Sequence, residues 1–494
     1  MIVYICKKGG YFMDEQINES QRPVNPRRKK RSQMQVFKET YLPAIIIGIA
    51  VILTIVFIAG SITRASQRKK AEKALQESIE ASISDQQDAL AQEADDLIAE
   101  SEVYANQYDY ETAISILNSF SGDISQFPHL NDKILEYERA QKDTVEWTDP
   151  SQVVHLSFQL LIADPARAFK YAGWANSLNQ NFITTGEFSD ILQQLYENGY
   201  ILVNFDDIFT TETTGNGSTV YKAATLRLPA GKKPLMISQT NVNYNYYLID
   251  SDGDHLPDAK GGGFASKLLW DGQNFTCEMV NANGQTVTGD YDLVPILEKF
   301  IAANPDFSYQ GARANLALTG HNGLLGYRTH PAYENHPKAS EIFGEDVYEQ
   351  EKTEAAEVIQ ALRNKGYTVS CYTYSNISYK DASLSQIQNN LKSWTDSVAP
   401  ILGNTNVLTY AQGGDIAAKG TYSGDKFNAL QDYGFRYYLG FCSDGQPWAV
   451  VEDNYVRQGR IMVTGSNLAY HSEWFAELFD AASVLDASRG TIPQ

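Results

Sequence analysis

From residue 153 onward, short apolar runs alternate with stretches whose apolar residues recur every three or four positions. Val153-Val-His-Leu-Ser-Phe reads as a strand. Residues 188–198 have helical spacing through Ile191, Leu192 and Leu195 and stop at Gly199, before the strand-like Tyr200-Ile-Leu-Val-Asn-Phe. Further strand-like runs start at Pro234, Asn315, Tyr367, Val407 and Arg436, with helical patterns over 293–300, 351–365, 384–398 and 426–433. Strand and helix alternate at least five times, which is the pattern of a parallel α/β sheet able to close into a barrel. Chemistry in such folds gathers at the carboxyl ends of the strands.

The N-terminal third has a different texture. Residues 44–62, AIIIGIAVILTIVFIAGSI, are nineteen positions without a charge. As a helix they would rise roughly 28 Å, close to a bilayer core. A basic tail of about forty residues precedes the run, which is longer than a signal-peptide core. These residues therefore predict an uncleaved transmembrane signal anchor. Seven basic residues from Arg22 to Lys38 precede it and five from Arg64 to Lys73 follow it, which weakly predicts an inside N-terminus and an extracytoplasmic remainder. Met13 opens a more ordinary hydrophilic tail, so residues 1–12 are a candidate misplaced start. Residues 70–100 are rich in Ala, Glu, Gln and Lys and predict a long exposed helix. Ala113, Leu117 and Phe120, then 131–139, predict about one tetratricopeptide-type helical pair, which cannot bury its face alone. The expected divisions are a basic cytoplasmic tail at 1–41, the anchor at 42–62, a helical stalk at 63–148 and the large α/β domain at 149–494.

Charge sharpens this picture. The 494 residues carry 40 Lys and Arg against 60 Asp and Glu, a net −20, which excludes a nucleic-acid backbone binder. Residues 1–73 hold 14 basic and 5 acidic side chains, so the remainder is strongly acidic. The four cysteines, Cys6, Cys277, Cys371 and Cys442, show neither a close pair nor metal spacing, and no disulfide framework is expected.

The order of strand-end residues resembles the polysaccharide deacetylase (NodB-like) family of carbohydrate esterases, in a membrane-anchored bacterial subgroup. The resemblance rests on Leu228-Pro-Ala-Gly-Lys-Lys-Pro-Leu, Gly289-Asp-Tyr-Asp-Leu-Val-Pro-Ile-Leu, Gly326-Tyr-Arg-Thr, Tyr422-Ser-Gly-Asp-Lys-Phe and Asp453-Asn-Tyr-Val-Arg-Gln-Gly-Arg. It implies a distorted (β/α) barrel and metal-assisted removal of acetyl from N-acetylated sugars. In that family one aspartate and two histidines hold a divalent cation, usually zinc, and a second aspartate is the base. A bound cation lowers the pKa of its water and polarises the amide carbonyl.

Both motifs lack their ligands here. Thr240 and Asn241 stand where the aspartate pair is expected, and Tyr372 and Asn376 where the two histidines are. The family's Arg-Pro motif is replaced at Tyr410-Ala-Gln412-Gly-Gly, and the late leucine–histidine motif has no histidine in Arg460-Ile-Met-Val-Thr-Gly. Neutral oxygens are poor substitutes for a carboxylate and two imidazoles. No zinc is expected in the family site. The expected function is a catalytically silent relative that recognises cell-envelope glycan, peptidoglycan or another N-acetylated polysaccharide. Two alternatives stay open: an active deacetylase with displaced ligands, and an envelope assembly protein with a vestigial pocket and protein partners. Tyr244, Tyr246, Tyr247, Tyr372 and Tyr374 are candidates to stack on sugar rings.

Three further groups carry readings. Phe205-Asp206-Asp207 matches the aspartate pair by letters, but one strand too early, and Asp207 reads as a cap. His321, His330 and His336, with His155 on an early strand, have spacings that fit no helical ligand pair and read as surface or turn residues, with a relocated metal site as the rival. Asp250, Asp252, Asp254 and Asp258 occupy loop positions 1, 3, 5 and 9 of a candidate calcium loop. His255 stands where an EF-hand has glycine, and no glutamate occupies position 12, so any calcium binding is expected to be weak.

Overall fold

The computed structural model describes residues 47–51, 65–338, 341–342 and 347–494. Two compact units divide the chain, 1–89 and 90–494. The helix Ala65–Ala105 is rich in Ala, Glu, Gln and Lys, and its residues 70–89 are almost all exposed.

Among the described residues, no helix is long and apolar enough to cross a membrane. That overturns the expected transmembrane helix ahead of the barrel, and with it the single-pass cell-membrane localisation with an extracytoplasmic C-terminal domain. Of the predicted anchor, residues 47–51 are described, and they are helical. The rest of the predicted anchor lies outside the described residues, as do the basic tail and Met13.

The second unit starts with the end of the long helix and the pair Tyr110–Leu117 and Pro128–Lys142. Asp109 caps the first of these by accepting the Thr112 amide at 3.2 Å. Ala94, Ala113, Leu117, Leu130, Ile134 and Tyr137 bury a small core of their own. Tyr108 joins the pair to the larger domain: its hydroxyl donates to the Asp306 carbonyl at 2.8 Å, and its ring stacks on Tyr309 at 6.3 Å.

Seven parallel strands form the centre: β1 (Val154–Phe158), β2 (Lys233–Thr240), β3 (Asn315–Leu318), β4 (Thr368–Cys371), β5 (Val407–Thr409), β6 (Tyr437–Phe441) and β7 (Tyr455–Met462). Each pairs with the next in chain order, and β7 returns to β1 through Ile461↔Leu156 and Met462↔Ser157, so the sheet is a closed barrel. This is consistent with the expected NodB-like barrel. Its outer faces are covered by helices with one apolar stripe. Thr185–Glu197 buries Phe188, Ile191, Leu192 and Leu195 and begins in a capping box between Thr184 and Glu187. Leu384–Ser397 buries Ile387, Leu391 and Trp394.

β2 changes neighbours along one edge. Its first residues, Lys233 to Leu235, pair with the short strand Tyr200–Leu202, whereas Ser238 to Thr240 pair with β3. The base of the barrel is plugged by Met236, Val407, Tyr437 and Val456, packed with Phe205 and Phe209. Asp207 accepts the Asn204 amide at 2.6 Å at the start of the helix Phe205–Ile208, next to this plug. Burial raises its carboxyl to about 7.

Above the plug the interior is polar, because side chains at alternate strand positions point inward. His155 is fully buried there, contrary to the surface or turn reading. Its Nδ1 donates to Gln458 Oε1 at 2.9 Å, and its Nε2 faces the Ser238 hydroxyl. Asn315 Nδ2 reaches Ser238 Oγ at 3.3 Å and Thr409 Oγ1 at 3.4 Å, and Thr409 meets Ser370 at 3.1 Å.

Candidate functional site

Strain marks the open end of the barrel. Among the described residues, ten non-glycine residues have positive φ. Eight of them, Asn241, Tyr244, His255, Asn322, Leu325, Thr373, Asn376 and Gln412, lie in the segments that follow β2 to β5. Such conformations persist only where the surroundings over-determine them, and they cluster at binding and catalytic sites.

The surroundings are identifiable. Asn243, after β2, accepts the Thr319 amide at 2.9 Å and donates to the Thr319 carbonyl at 2.7 Å, which ties two strand ends together. Asn390, from the helix Leu384–Ser397, holds the segment after β4. It accepts the Tyr374 amide at 2.8 Å and donates to Ser375 Oγ at 2.8 Å. Thr373 Oγ1 accepts the Ile377 amide at 3.0 Å and closes the turn that carries Asn376.

Of the residues predicted for the degenerate pocket, Tyr372, Asn376 and Gln412 come together. The Gln412 amide donates to the Tyr372 hydroxyl at 3.3 Å, and Gln412 Nε2 donates to the Asn376 carbonyl at 2.7 Å. Asn245 Nδ2 donates to the Tyr247 hydroxyl at 3.3 Å, and Asn241 and Tyr372 lie near that hydroxyl. Thr240 is buried beside them and donates to the Phe158 carbonyl at 3.2 Å. Tyr410 is elsewhere: it faces outward from β5 and packs among Tyr379, Tyr422 and Tyr438.

Three amide oxygens at this end, Asn241 Oδ1, Asn245 Oδ1 and Asn376 Oδ1, are buried without a hydrogen-bond partner. An unpaired buried acceptor is costly, and a ligand donor is one way to relieve it. Trp174 stacks on Tyr247, with ring centroids 5.5 Å apart and planes 22° apart, and remains 42% exposed. Sequence reading missed Trp174, because a lone tryptophan after a glycine carries no motif. Among the other candidate sugar stackers, Tyr244 is fully buried and its hydroxyl donates to Asp292 at 2.6 Å, so it is part of the scaffold. Tyr246 stacks on His255 at 4.0 Å, and Tyr374 lies 6.0 Å from His330.

The family's zinc does not fit the groups present. Thr240, Asn241, Tyr372 and Asn376 supply neither a carboxylate nor an imidazole. Arg460 adds a buried cation near these residues. Its guanidinium donates to Ser157 Oγ at 3.0 Å and to the Tyr410 carbonyl at 3.2 Å. Burial lowers its pKa to about 10.

The acidic loop after β2 brings one oxygen each from Asp250, Asp252 and Asp254 within 4.8 Å of one another. Much of that carboxylate capacity is already engaged. Asp250 accepts the amides of Asp252, Gly253 and His255, and Asp254 accepts the Leu256 amide and Lys338 Nζ. Asp258 stands outside the trio and binds the amide and hydroxyl of Ser251.

The histidines are not scattered. His255, His321, His330 and His336 line one cavity of about 240 Å³ with Tyr246, Asn322 and Tyr333. The chain segments that follow β2 and β3 supply all of these residues.

No family model matches the chain, and no curated protein matches it. Among solved structures it is similar to that of Streptococcus pyogenes deacetylase PplD in complex with acetate, with a TM-score of 0.31 and 10% identity, covering 66% of this chain and 95% of that chain.

Proposed function

We propose that this barrel is polysaccharide deacetylase-like and binds a saccharide at its open end without metal-dependent hydrolysis. The observation that carries the reading is the set of unpaired amide oxygens of Asn241, Asn245 and Asn376 beside the Trp174–Tyr247 stack. Sugars present both faces such a site accepts: hydroxyl and N–H donors around the rim of a ring, and a C–H surface that packs on aromatic planes. The silent chemistry follows from charge. A neutral donor set near the buried Arg460 disfavours a divalent cation and with it an activated water.

Two measurements on the full chain test this. Calorimetric titration with N-acetylglucosamine oligomers should show saturable binding that Asn241→Ala weakens. Acetate release from the same oligomers, assayed with zinc, cobalt or manganese, should stay at the buffer rate. Metal-dependent release that Asn241→Ala abolishes would establish an active deacetylase instead. Absence of glycan binding alongside capture of a defined protein partner would favour the assembly role.

A further inference from the structure

The four-histidine cavity is separate from the Tyr372–Gln412 end of the mouth and meets it at the His330–Tyr374 contact. A histidine cluster invites a metal reading, but the hydrogen bonds argue otherwise. His330 Nδ1 accepts the Ala332 amide at 3.1 Å, and His336 Nδ1 accepts the Lys338 amide at 3.3 Å. A neutral imidazole that accepts through Nδ1 carries its proton on Nε2. These two rings therefore offer N–H donors, not lone pairs, on their remaining nitrogens. Among the described residues, no three of the histidines bring ligating atoms within 4.8 Å of one another.

Near this group is Arg328, only 5% exposed, with Nη1 buried and unpartnered. It is close enough to His255, His321 and Tyr333 for its charge to act on each. The neighbouring carboxylates are each engaged: Asp250 accepts three backbone amides, Asp254 pairs with Lys338 at 3.2 Å, and Glu351 accepts the Arg328 amide at 2.7 Å and pairs with Lys267 at 2.6 Å. Asn322 Oδ1, buried without a partner, is an acceptor in the same cavity, while its Nδ2 donates to the Tyr333 hydroxyl at 3.2 Å. Imidazole N–H donors near a buried guanidinium suit an oxyanion, and an orphan amide oxygen suits a hydroxyl next to it.

We infer that this cavity is an oxyanion subsite, and that the saccharide bound at the mouth is an acidic one whose carboxylate or phosphate sits among His255, His330 and His336. The identity of the carrier rests on the saccharide reading above; the affinity for the anion does not.

The test titrates the full chain with sodium phosphate and sodium acetate alone, then with a neutral chitotetraose and a glucuronate-containing tetrasaccharide of the same length. The free anions should bind and compete with each other, and the acidic tetrasaccharide should bind at least tenfold tighter than the neutral one. That ratio should fall to about one in His336→Phe, in His330→Phe and in Arg328→Gln; the two half-buried histidines keep the test open if the arginine variant fails to fold. Free anions bound without either tetrasaccharide would support the subsite and overturn the saccharide reading. Both tetrasaccharides bound equally, with no response to phosphate or acetate, would overturn the subsite and leave the saccharide reading standing. Zinc bound by these histidines in place of any anion would also overturn it.

Discussion

His155 Nδ1 donates to Gln458 Oε1 at 2.9 Å between two adjacent barrel strands, so the imidazole is held neutral with its Nε2 turned toward Ser238. Burial, then the charge of Arg460, pushes its pKa down to about 3, against the Gln458 hydrogen bond. In the unfolded chain the same group protonates near 6.5. The native state therefore binds fewer protons than the unfolded state between these values. The stability held this way is complete above pH 6.5 and is lost as pH falls toward 3, at up to roughly 1.4 kcal/mol per pH unit. Urea midpoints measured from pH 7 to pH 4 should fall more steeply for the wild type than for His155→Gln. Equal slopes would contradict the buried neutral ring.

Asp207 gives the opposite sign. Burial raises its carboxyl from 3.8 to about 7, so the folded chain keeps a proton that the unfolded chain releases. That contribution is complete below pH 3.8 and is lost as pH rises through 7. Asp207→Asn keeps an acceptor for the Asn204 amide and has no carboxylate to ionise. Its thermal midpoint should gain on the wild type between pH 5 and pH 8, with the gain levelling off above pH 8.

At the mouth, Trp174 contributes surface rather than core. Trp174→Ala should change folding stability by less than about 0.5 kcal/mol, as for an exposed position. The same change should weaken binding of N-acetylglucosamine oligomers about tenfold, because an aromatic platform is removed from one face of the sugar. Calorimetry and thermal unfolding on the same sample separate the two effects.

The turn that brings His321 toward His330 depends on Gly323. Its φ is +125°, and a Cβ there would lie 1.9 Å from the Tyr327 carbonyl oxygen. That atom is backbone and cannot swing aside. Gly323→Ala should destabilise the protein by about 2 kcal/mol or more and abolish its response to phosphate. A variant with wild-type stability and an intact phosphate response would show that the turn is not what gathers these histidines.

The strands were legible because their apolar runs and flanking glycines are local signals, and the chain order of the barrel follows from their alternation with helices. Tyr372, Asn376 and Gln412 could be placed together because each directly follows a strand. Other features have no local signature. A histidine within a strand looks the same whether it faces water or a polar lumen, so His155 was misread; only the matching polar positions at Ser238, Asn315 and Gln458 reveal the interior. The spacings between His321, His330 and His336 suggest nothing until Gly323 and Gly326 fold the chain back, and His255 arrives from a different loop altogether. The apolar run at 44–62 predicted a membrane span from hydropathy alone, and the described helices do not supply one.

One feature of β2 bears on traffic. By exchanging Tyr200–Leu202 for β3 halfway along its edge, with Phe205 and Phe209 stoppering the space beneath, it makes the tube a cup instead of a conduit. A saccharide held at the mouth, as proposed above, would arrive and depart over the same rim, and differences in affinity between related saccharides would then show mainly in residence time.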